Sequence, residues 1–587
     1  MIRAPWTSRA AVLGVVFLAL FVVLEARLWS MQAIQGPHYL RLSEQNRLRD
    51  YIIPAPRGVI YDRRGQPIVT NRAAFTVSVL PMEVKDPAHL AEVLAPVLSM
   101  ARAEILMRLE SGRQRRFEPV TLRRDVHKTI VMTLEEHRLD LPGVIVQAEP
   151  VRDHLKGEAG AHALGYLGEI TEDELRSRPG YRAGGLIGKS GVERVYDNVL
   201  RGIDGRQRVE VDAAGRPIRV LSREAAQPGQ SLVLNIDADL QAVAETALGN
   251  RTGAVVAMDP RNGEILVMVA HPAFDPNQFA GGISPANWKR LTGDRRIPLL
   301  NRATEGTYEP GSVFKIVTGL AALSEGVARR DTMFNCTGQL ALGRWIFHDL
   351  HAYGPVNFMK GVAVSCNIVF WTLGGRLGDE RLHRYARMLG LAQPTGIDLP
   401  TEASGTIPSA EWKRRIYKEP WYPGDTMNMA IGQGYVVVTP VQVARMLSAV
   451  ANGGTLFAPR LARRVLAADG SEVMSYAPVS SGKLAVAPES LATLREALRM
   501  AVEWGTGTAA AVPGLAVAGK TGSAENPRGI PHAWFAGYAP ADRPALVVVA
   551  FVEHGFRGGV TAAPIAKAIF AAAQQALLAA SNDGARP

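Results

Sequence analysis

The chain has 587 residues, a length that suits about three or four domains of ordinary size. Its 47% apolar and 21% charged residues are typical of a folded protein with a substantial core, which excludes a disordered or fibrous chain. The formal net charge of +11 favours acidic partners such as anionic lipid or an anionic polymer, although a general bias toward arginine explains it equally well. The sequence has no zinc-finger spacing, RNP-like aromatic run or basic heptads, so we expect no nucleic-acid binding.

An uncharged apolar run at residues 10–24 follows Arg3 and Arg9. Its 15 residues are few for a membrane span and also suit a signal peptide. No small-residue cleavage site follows, and a tryptophan stands where the membrane interface would be. We therefore expect an uncleaved single-pass anchor over residues 10–31. The arginines before it would keep residues 1–9 in the cytoplasm and place the remainder outside it.

Short strand and helix patterns occupy the segment after the anchor. Residues 54–71 suit two strands around an Asp-Arg-Arg-Gly turn, and residues 85–140 show a helical, basic pattern. A glycine-rich segment and a strand pattern then lead to a turn near Pro228. We place a domain boundary there, so that residues 32–228 form a first domain outside the membrane.

The second half of the chain has strands at both ends and helices between them. Residues 253–272 predict a hairpin closed by Pro-Arg-Asn-Gly, and helical periodicity dominates residues 310–450. Three strand patterns follow, LAVAGKTGSAE, HAWFAGYAP and ALVVVAFVEHG, before a closing helix over residues 563–580. Two early strands and three late ones predict an antiparallel sheet with helices on both faces.

A serine and a lysine stand three positions apart in the apolar stretch EPGSVFKIVTG. On a helical turn, Ser312 and Lys315 would share one face and could lie within hydrogen-bond reach. Burial disfavours the charged form of a lysine, which would let Lys315 act as a base for the Ser312 hydroxyl. The pattern is weak by itself, because Ser-x-x-Lys recurs at Ser480 and Lys483 and a serine at a helix start is usually structural.

Two further motifs strengthen the assignment. Ser365 and Asn367 form Ser-Cys-Asn, and residues 520–522 form Lys-Thr-Gly on a predicted strand. The three motifs in this order are those of penicillin-binding proteins and class A β-lactamases, with Cys366 here in the place of an aspartate. Their combination is far more specific than any one of them.

The chain resembles the class B penicillin-binding proteins, the monofunctional D,D-transpeptidases, over nearly its whole length. RGVIYDRRG, AHALGYLGEI and IGKSGVERVYDNVLRG resemble the pedestal motifs of the family, and LLNRATEGTYEPGSVFK resembles its approach to the nucleophile. EWKRRIYKEPWYPGDTMNMAIGQGYVVVTPVQVA is most similar to the elongation-type branch, with the division-type branch as the alternative.

The resemblance implies an α+β multidomain protein with a transmembrane helix and an elongated α+β pedestal of the dimerisation type, residues 32–228. A transpeptidase domain would occupy residues 229–580, with an antiparallel five-stranded sheet between helices as in serine β-lactamases. Residues 581–587 would form a flexible tail.

The resemblance also implies roles for the motif residues. Ser312 would be the acylated nucleophile and Lys315 its base. Ser365 would relay a proton to the leaving group, and Asn367 would hold the peptide amide of the substrate. The backbone N–H groups of Ser312 and Ser523 would form the oxyanion hole.

The Lys-Thr-Gly strand would bind the terminal carboxylate of the substrate. Lys520 would supply positive charge, Thr521 a hydrogen bond, and Gly522 room for an extended peptide beside the strand. Asp425 is a further candidate for substrate contact, but an aspartate that caps the following helix is an equally good explanation.

The resemblance implies a β-lactam target that crosslinks peptidoglycan stem peptides through an acyl-serine. It also implies an inner-membrane anchor and a periplasmic catalytic domain. The N-terminal half has no room for a glycosyltransferase, so we expect a partner polymerase of the RodA-like SEDS type and other elongation-complex proteins. Acyl transfer would need no cofactor. The alternatives are a D,D-carboxypeptidase or β-lactamase-like hydrolase and an idle penicillin-binding sensor.

The only cysteines, Cys336 and Cys366, flank a segment that holds Asp349 and His351. Two thiolates with carboxylate and imidazole donors could bind a structural zinc ion, and similar runs occur in sequences that the chain resembles. His348 could replace His351. A disulfide, which is natural outside the cytoplasm, and two unlinked thiols remain as alternatives.

A basic stretch, residues 113–124, reads RQRRFEPVTLRR. We interpret it as a solvated face, with contact to a partner or to lipid headgroups as the alternative.

Overall fold

The computed structural model describes residues 6–39, 48–112, 118–211, 217–526 and 529–583. Helix α1 (Trp6–Trp29) continues as a π-helical turn, Ser30–Ile34. The apolar segment Arg9–Ile34 spans 26 residues with a mean hydropathy of 2.4, and none of its most apolar window is buried in protein. This confirms a long, uncovered apolar helix where we expect the anchor. The helical segment Gly558–Ala579 is also apolar enough to span a membrane, but 44% of its window is buried in the protein.

The remaining helices are mostly short, and the described residues also form 23 strands. The helices are α2 (Pro87–Leu98), α3 (Arg102–Ser111), α4 (Lys128–Glu136), α5 (Ala161–Leu164), α6 (Glu172–Ser177), α7 (Gly191–Val195), α8 (Asp197–Leu200), α9 (Ala238–Leu248), α10 (Asn277–Ala280), α11 (Pro285–Gly293), α12 (Lys315–Ser324), α13 (Phe358–Ala363), α14 (Asn367–Met388), α15 (Ala410–Tyr417), α16 (Pro423–Ala430), α17 (Pro440–Ala451), α18 (Pro488–Glu503) and α19 (Ala563–Asp583).

The strands are β1 (Leu48–Ile53), β2 (Ile60–Tyr61), β3 (Pro67–Val79), β4 (Val120–Val126), β5 (Val144–His154), β6 (Leu167–Glu169), β7 (Leu186–Gly188), β8 (Gly205–Val211), β9 (Pro217–Glu224), β10 (Ser231–Leu234), β11 (Gly253–Met258), β12 (Ile265–His271), β13 (Met333–Cys336), β14 (Gln339–Leu342), β15 (Trp345–His348), β16 (Gly354–Asn357), β17 (Thr455–Phe457), β18 (Ala462–Leu466), β19 (Glu472–Ser475), β20 (Ser480–Lys483), β21 (Ala518–Ala524), β22 (His532–Ala539) and β23 (Leu546–Val552).

The pedestal is organised around the long strand β3. This strand pairs with β2 across the predicted turn and continues antiparallel to β4 and β5. Helices α2 and α3 cover it with a small apolar core that includes Leu90, Leu94 and Ile105. Strand β10, which lies beyond the predicted boundary near Pro228, pairs with β2 on one side and with β18 on the other. One sheet therefore contains strands from both halves of the chain.

The C-terminal half contains the predicted antiparallel sheet of five strands, in the order β12-β11-β23-β22-β21. Side chains alternate between its faces, as the period of a strand requires. Along β11, Val255 and Ala257 pack against α9 and α19, while Ala254 and Val256 belong to the large core on the other face. This arrangement confirms the predicted helix–sheet–helix layering, and it leaves β21 as an edge strand.

The helical region between the early and late strands is interrupted where the sequence pattern predicts only helix. Strands β13 and β16 pair with each other, as do β14 and β15, and these two hairpin-like ribbons lie between α12 and α13. Helix α14 also bends at Gly378, whose φ of +78° is outside the helical region. The two ribbons bring the cysteine-bearing segment onto the N-terminal end of α14.

Candidate active site

The predicted nucleophile lies in a tight turn packed against the edge strand β21. Ser312 belongs to a 3₁₀ turn, Gly311–Phe314, that leads directly into α12. Gly311 has a φ of +53°, and its N–H donates to the carbonyl of Gly432 at 2.9 Å. A Cβ atom at position 311 would lie 2.7 Å from the carbonyl oxygen of Ser523. Only glycine therefore lets the turn approach β21 this closely.

Lys315 is almost fully buried, with 1% of its surface exposed. Its Nζ donates to the backbone carbonyl of Ser365 at 2.7 Å, to Ser365 Oγ at 3.2 Å and to Asn367 Oδ1 at 2.6 Å. The predicted Ser312–Lys315 hydrogen bond is not formed: within the described ranges, Ser312 Oγ has no hydrogen-bond partner. The lysine amine instead turns toward the three acceptors of the Ser-Cys-Asn turn.

Burial controls the protonation of this lysine. Removal of the ammonium from water lowers the pKa of Lys315 to about 7, and the carboxylate of Asp349 partly opposes that effect. Burial also lowers the pKa of Lys520, and the nearby Lys315 lowers it further. A substantial fraction of Lys315 is therefore neutral near pH 7, which is the form that can accept the Ser312 proton.

Ser365 lies between the two buried lysines. Lys520 Nζ donates to Ser365 Oγ at 2.7 Å, a shorter contact than that from Lys315 Nζ at 3.2 Å. The residue has a φ of +59°, a left-handed conformation that costs a side-chain-bearing residue roughly 1–2 kcal/mol. Backbone strain of this kind is found at sites where a side chain must be held in one position. The Ser365 hydroxyl is thus within hydrogen-bond distance of both lysines, and its role as a proton relay stays a prediction.

Strand β21 presents the rest of the Lys-Thr-Gly motif along the open edge of the sheet. Lys520 is fully buried, and its Nζ donates to Ser365 Oγ and to the backbone carbonyl of Thr521, the latter at 3.1 Å. The Thr521 hydroxyl shares a hydrogen bond of 2.7 Å with Thr506. A Cβ at Gly522 would lie 2.8 Å from the carbonyl oxygen of Pro310, so the missing side chain makes space for the nucleophile turn. Room for an extended peptide beside Gly522 stays a prediction.

The structure contradicts the zinc prediction and contains the disulfide alternative. Cys336 and Cys366 are joined, so neither offers the thiolate that a zinc site needs. The carboxylate of Asp349 accepts the backbone N–H groups of Asn367 at 2.7 Å and Ile368 at 3.3 Å. Over the parts of the chain that the structure describes, no group of three or more His, Cys, Asp or Glu side chains could hold a metal ion.

The two histidines of that segment take no part in a cluster. The His351 ring packs edge-on against Tyr353, and His348 is exposed at the end of β15. Asp349 instead caps α14, the helix that begins at Asn367, and its charge lies close enough to influence Lys315. The segment thus supports the active site with a covalent link and a helix cap in place of a metal ion.

Asp425 has the helix-capping role that is the alternative to substrate contact. Its Oδ2 accepts the N–H of Tyr422 at 2.8 Å, at the start of α16, and pairs with the buried Lys413 Nζ at 2.6 Å. Contact of Asp425 with substrate stays a prediction.

Thr506 is a site residue that the motifs do not identify. It follows α18 in the segment GTGT, and its backbone N–H donates to the carbonyl of Ala363, two residues before Ser365. Its hydroxyl reaches Thr521 on the other side. Thr506 therefore joins the Ser-Cys-Asn turn to β21, and only the tertiary structure reveals this link.

Serine, two buried lysines and an open strand edge define a serine acyltransferase of the penicillin-recognising class. The family model "Penicillin binding protein transpeptidase domain" matches residues 253–571, and "Penicillin-binding Protein dimerisation domain" matches residues 52–234. The chain belongs to the class B penicillin-binding proteins, in the branch of penicillin-binding protein 2.

Relatives and solved structures agree with this assignment. The chain is 33% identical to peptidoglycan D,D-transpeptidase MrdA of Acinetobacter baumannii, over 95% of this chain and 86% of the relative. The Escherichia coli K12 protein of the same name is 34% identical over 80% of this chain and 76% of its own length. Penicillin-binding protein 2 in a complex with MreC from Helicobacter pylori has a TM-score of 0.79 and 25% identity, covering 90% of this chain and 99% of that one.

Proposed function

We propose that this protein crosslinks peptidoglycan stem peptides during cell elongation, through an acyl-enzyme on Ser312. The observation that carries the proposal is the position of Ser365 Oγ, 3.2 Å from Lys315 Nζ and 2.7 Å from Lys520 Nζ, beside the turn that bears Ser312. This arrangement connects a base to a proton donor through one hydroxyl, as acyl transfer requires. The names of the relatives supply the substrate class.

The chemistry would proceed in two steps. Neutral Lys315 takes the proton of Ser312 as its oxygen attacks the carbonyl of the penultimate D-alanine, and the Ser312 and Ser523 N–H groups stabilise the oxyanion. The terminal D-alanine then leaves with a proton relayed through Ser365. In the second step, an amine of a neighbouring stem peptide attacks the acyl-serine. The proton that the amine loses passes through the same relay to Lys315 and on to Ser312 Oγ as the acyl–oxygen bond breaks, so that Lys315 is neutral again.

Edge strand β21 would align the donor peptide. It pairs only with β22 among the described strands, so its outer edge can add an extended peptide as a further strand. A terminal carboxylate of that peptide would meet the Thr521 hydroxyl and the positive field of Lys520. The Asn367 side-chain amide would hold the peptide group on the other side of the cleft.

The membrane context follows from the N-terminal helix. With Arg9 at its start, α1 would keep its N-terminus in the cytoplasm and the catalytic domain in the periplasm. A partner polymerase of the RodA-like SEDS type would supply glycan strands. A solved structure titled "Structural coordination of polymerization and crosslinking by a peptidoglycan synthase complex" resembles this chain with a TM-score of 0.71 and 32% identity, covering 96% of this chain and 98% of that one.

A labelled penicillin tests the proposal on the full-length protein. Stable labelling should disappear in Ser312→Ala and persist in Ser480→Ala, which changes the other Ser-x-x-Lys serine on the exposed strand β20. Purified protein should also crosslink supplied glycan strands. Rapid release of the label would indicate a hydrolase, and stable labelling without crosslinking would indicate a sensor.

A further inference from the structure

A cavity in the pedestal is lined by an excess of arginines. Its volume is about 440 Å³, and it lies where β1, β5 and β8 meet. The wall contains six arginines and two carboxylates, Glu149 and Asp204. The arginines of the wall are Arg57, Arg124, Arg152, Arg182, Arg201 and Arg206. The volume is within the range of ordinary small-molecule sites.

The floor of this cavity is a buried ion cluster that does not satisfy all of its donors. Arg57 Nη2 pairs with Glu193 and Asp197 at 2.8 Å each, and Arg152 Nε pairs with Glu193 at 2.6 Å. Arg57 is 9% exposed and Arg152 is 3% exposed. Arg57 Nε and Arg152 Nη2 nevertheless have no hydrogen-bond partner within the described part of the chain. Even with Glu193 and Asp197 counted, arginines outnumber carboxylates by six to four.

The upper wall adds further guanidinium groups: Arg182 pairs with Asp204 at 3.5 Å, whereas Arg124 makes no ion pair with any described residue. Arg124 donates to the carbonyl of Gly184. Burial lowers its pKa, the nearby carboxylates Glu149 and Glu169 oppose that effect, and Arg182 and Arg108 reinforce it. The solvated-face interpretation of the basic stretch is therefore wrong for Arg124, while residues 113–117 lie outside the described residues. Arg206 is exposed at the rim and makes no ion pair with any described residue.

We propose that this cavity binds a small anionic group, a carboxylate or phosphate. Guanidinium groups bind carboxylates and phosphates with paired hydrogen bonds. A cavity with more arginines than carboxylates and with unsatisfied buried guanidinium donors therefore suits such an anion. Two sources share this chemistry: the stem-peptide carboxylates of peptidoglycan and the pyrophosphate of a lipid-linked precursor. The choice of these two sources rests on the proposed function, whereas the choice of an anion does not.

Calorimetric titration of the full-length protein in an uncharged detergent tests the proposal. The protein is first acylated with penicillin, so that the catalytic cleft is filled, and is then titrated with inorganic pyrophosphate or with a soluble disaccharide pentapeptide. Saturable binding of either probe, weakened by added salt, is the expected result, and the probe that binds identifies the source. Penicillin labelling is measured separately, so a failure of the proposed function is distinguishable from a failure of the cavity.

The variants locate the binding. Arg206→Gln and Arg124→Gln should each raise Kd about tenfold, the loss expected for one charge-assisted hydrogen bond, without a change in penicillin labelling. Arg138→Gln, on the outside of the same domain with 68% of its side chain exposed, should leave Kd unchanged. Absence of binding with both probes, an unchanged Kd in both cavity variants, or an equal loss in Arg138→Gln would overturn the proposal.

Discussion

The charge of Asp349 should set the pH at which the active-site lysine becomes a base. Burial lowers the pKa of Lys315 to about 7, and the Asp349 carboxylate raises it against that effect. Asparagine at position 349 keeps a side-chain oxygen to accept the N–H of Asn367 but removes the charge. The pKa of Lys315 in Asp349→Asn should therefore be lower than in the parent protein, with the helix cap retained.

The expected magnitude follows from the titration of one amine. With a pKa of about 7, roughly one-tenth of Lys315 is neutral at pH 6 and about nine-tenths at pH 8. The rate of acylation by penicillin should rise about tenfold over that range. In Asp349→Asn, the midpoint of this rise should move to lower pH. At pH 6 the variant should therefore reach a larger fraction of its own maximal rate than the parent protein reaches of its own.

The assay is the second-order rate constant of acylation by a fluorescent penicillin, measured from pH 5.5 to 9. Lys315→Arg retains a positive charge but cannot supply a neutral base, so it should lose roughly 100- to 10,000-fold in rate at every pH. Asp331→Asn, an exposed position in the same region, is the matched control and should keep the parental midpoint. A flat profile in the parent protein, or a midpoint that does not move in Asp349→Asn, would refute the assignment of Lys315 as the titrating base.

Three further changes test other parts of the structure. Gly522→Ala should abolish penicillin labelling because its Cβ would displace the nucleophile turn, whereas Gly293→Ala, with open space around it, should label normally. Reduction of the Cys336–Cys366 disulfide should lower the free energy of unfolding by roughly 3–4 kcal/mol, as expected for a loop of 30 residues. Two free thiols in unreduced protein after denaturation, or zinc bound to the native protein, would contradict this. Glu193→Gln should cost about 3–5 kcal/mol in chemical denaturation, because the buried Arg152 loses its carboxylate partner and Arg57 loses one of its two; a loss under 1 kcal/mol would contradict this. Burial raises the pKa of Glu193, but Arg152 and Arg57 outweigh that effect and lower it to about 2. The contribution of Glu193 to the free energy of unfolding is therefore fully present above its unfolded pKa near 4.5 and is lost as the pH falls toward 2.

Much of the fold could be predicted from local pattern. The five strands of the C-terminal sheet and its closing helix appear where strand patterns, turn residues and helical periodicity indicate them. The same holds for the β2–β3 turn. Four of the five sheet strands are largely apolar, and the fifth, β21, directly follows an apolar run. The sequence pattern does not predict strands β13 to β16, because each has only four residues, too few for a strand period to be distinct.

The amino-acid sequence by itself determined which residues are chemically capable: Ser312, Lys315, Ser365 and Lys520 are identified by motif spacing and order. Only the tertiary structure decided how they meet. Lys315 contacts Ser365, 50 positions away, rather than the serine three positions before it, because burial directs the amine to the strongest acceptors within reach. The pairing of the cysteines and the helix-capping role of Asp349 likewise depend on chain segments that approach only after folding, and spacing along the chain does not encode that approach.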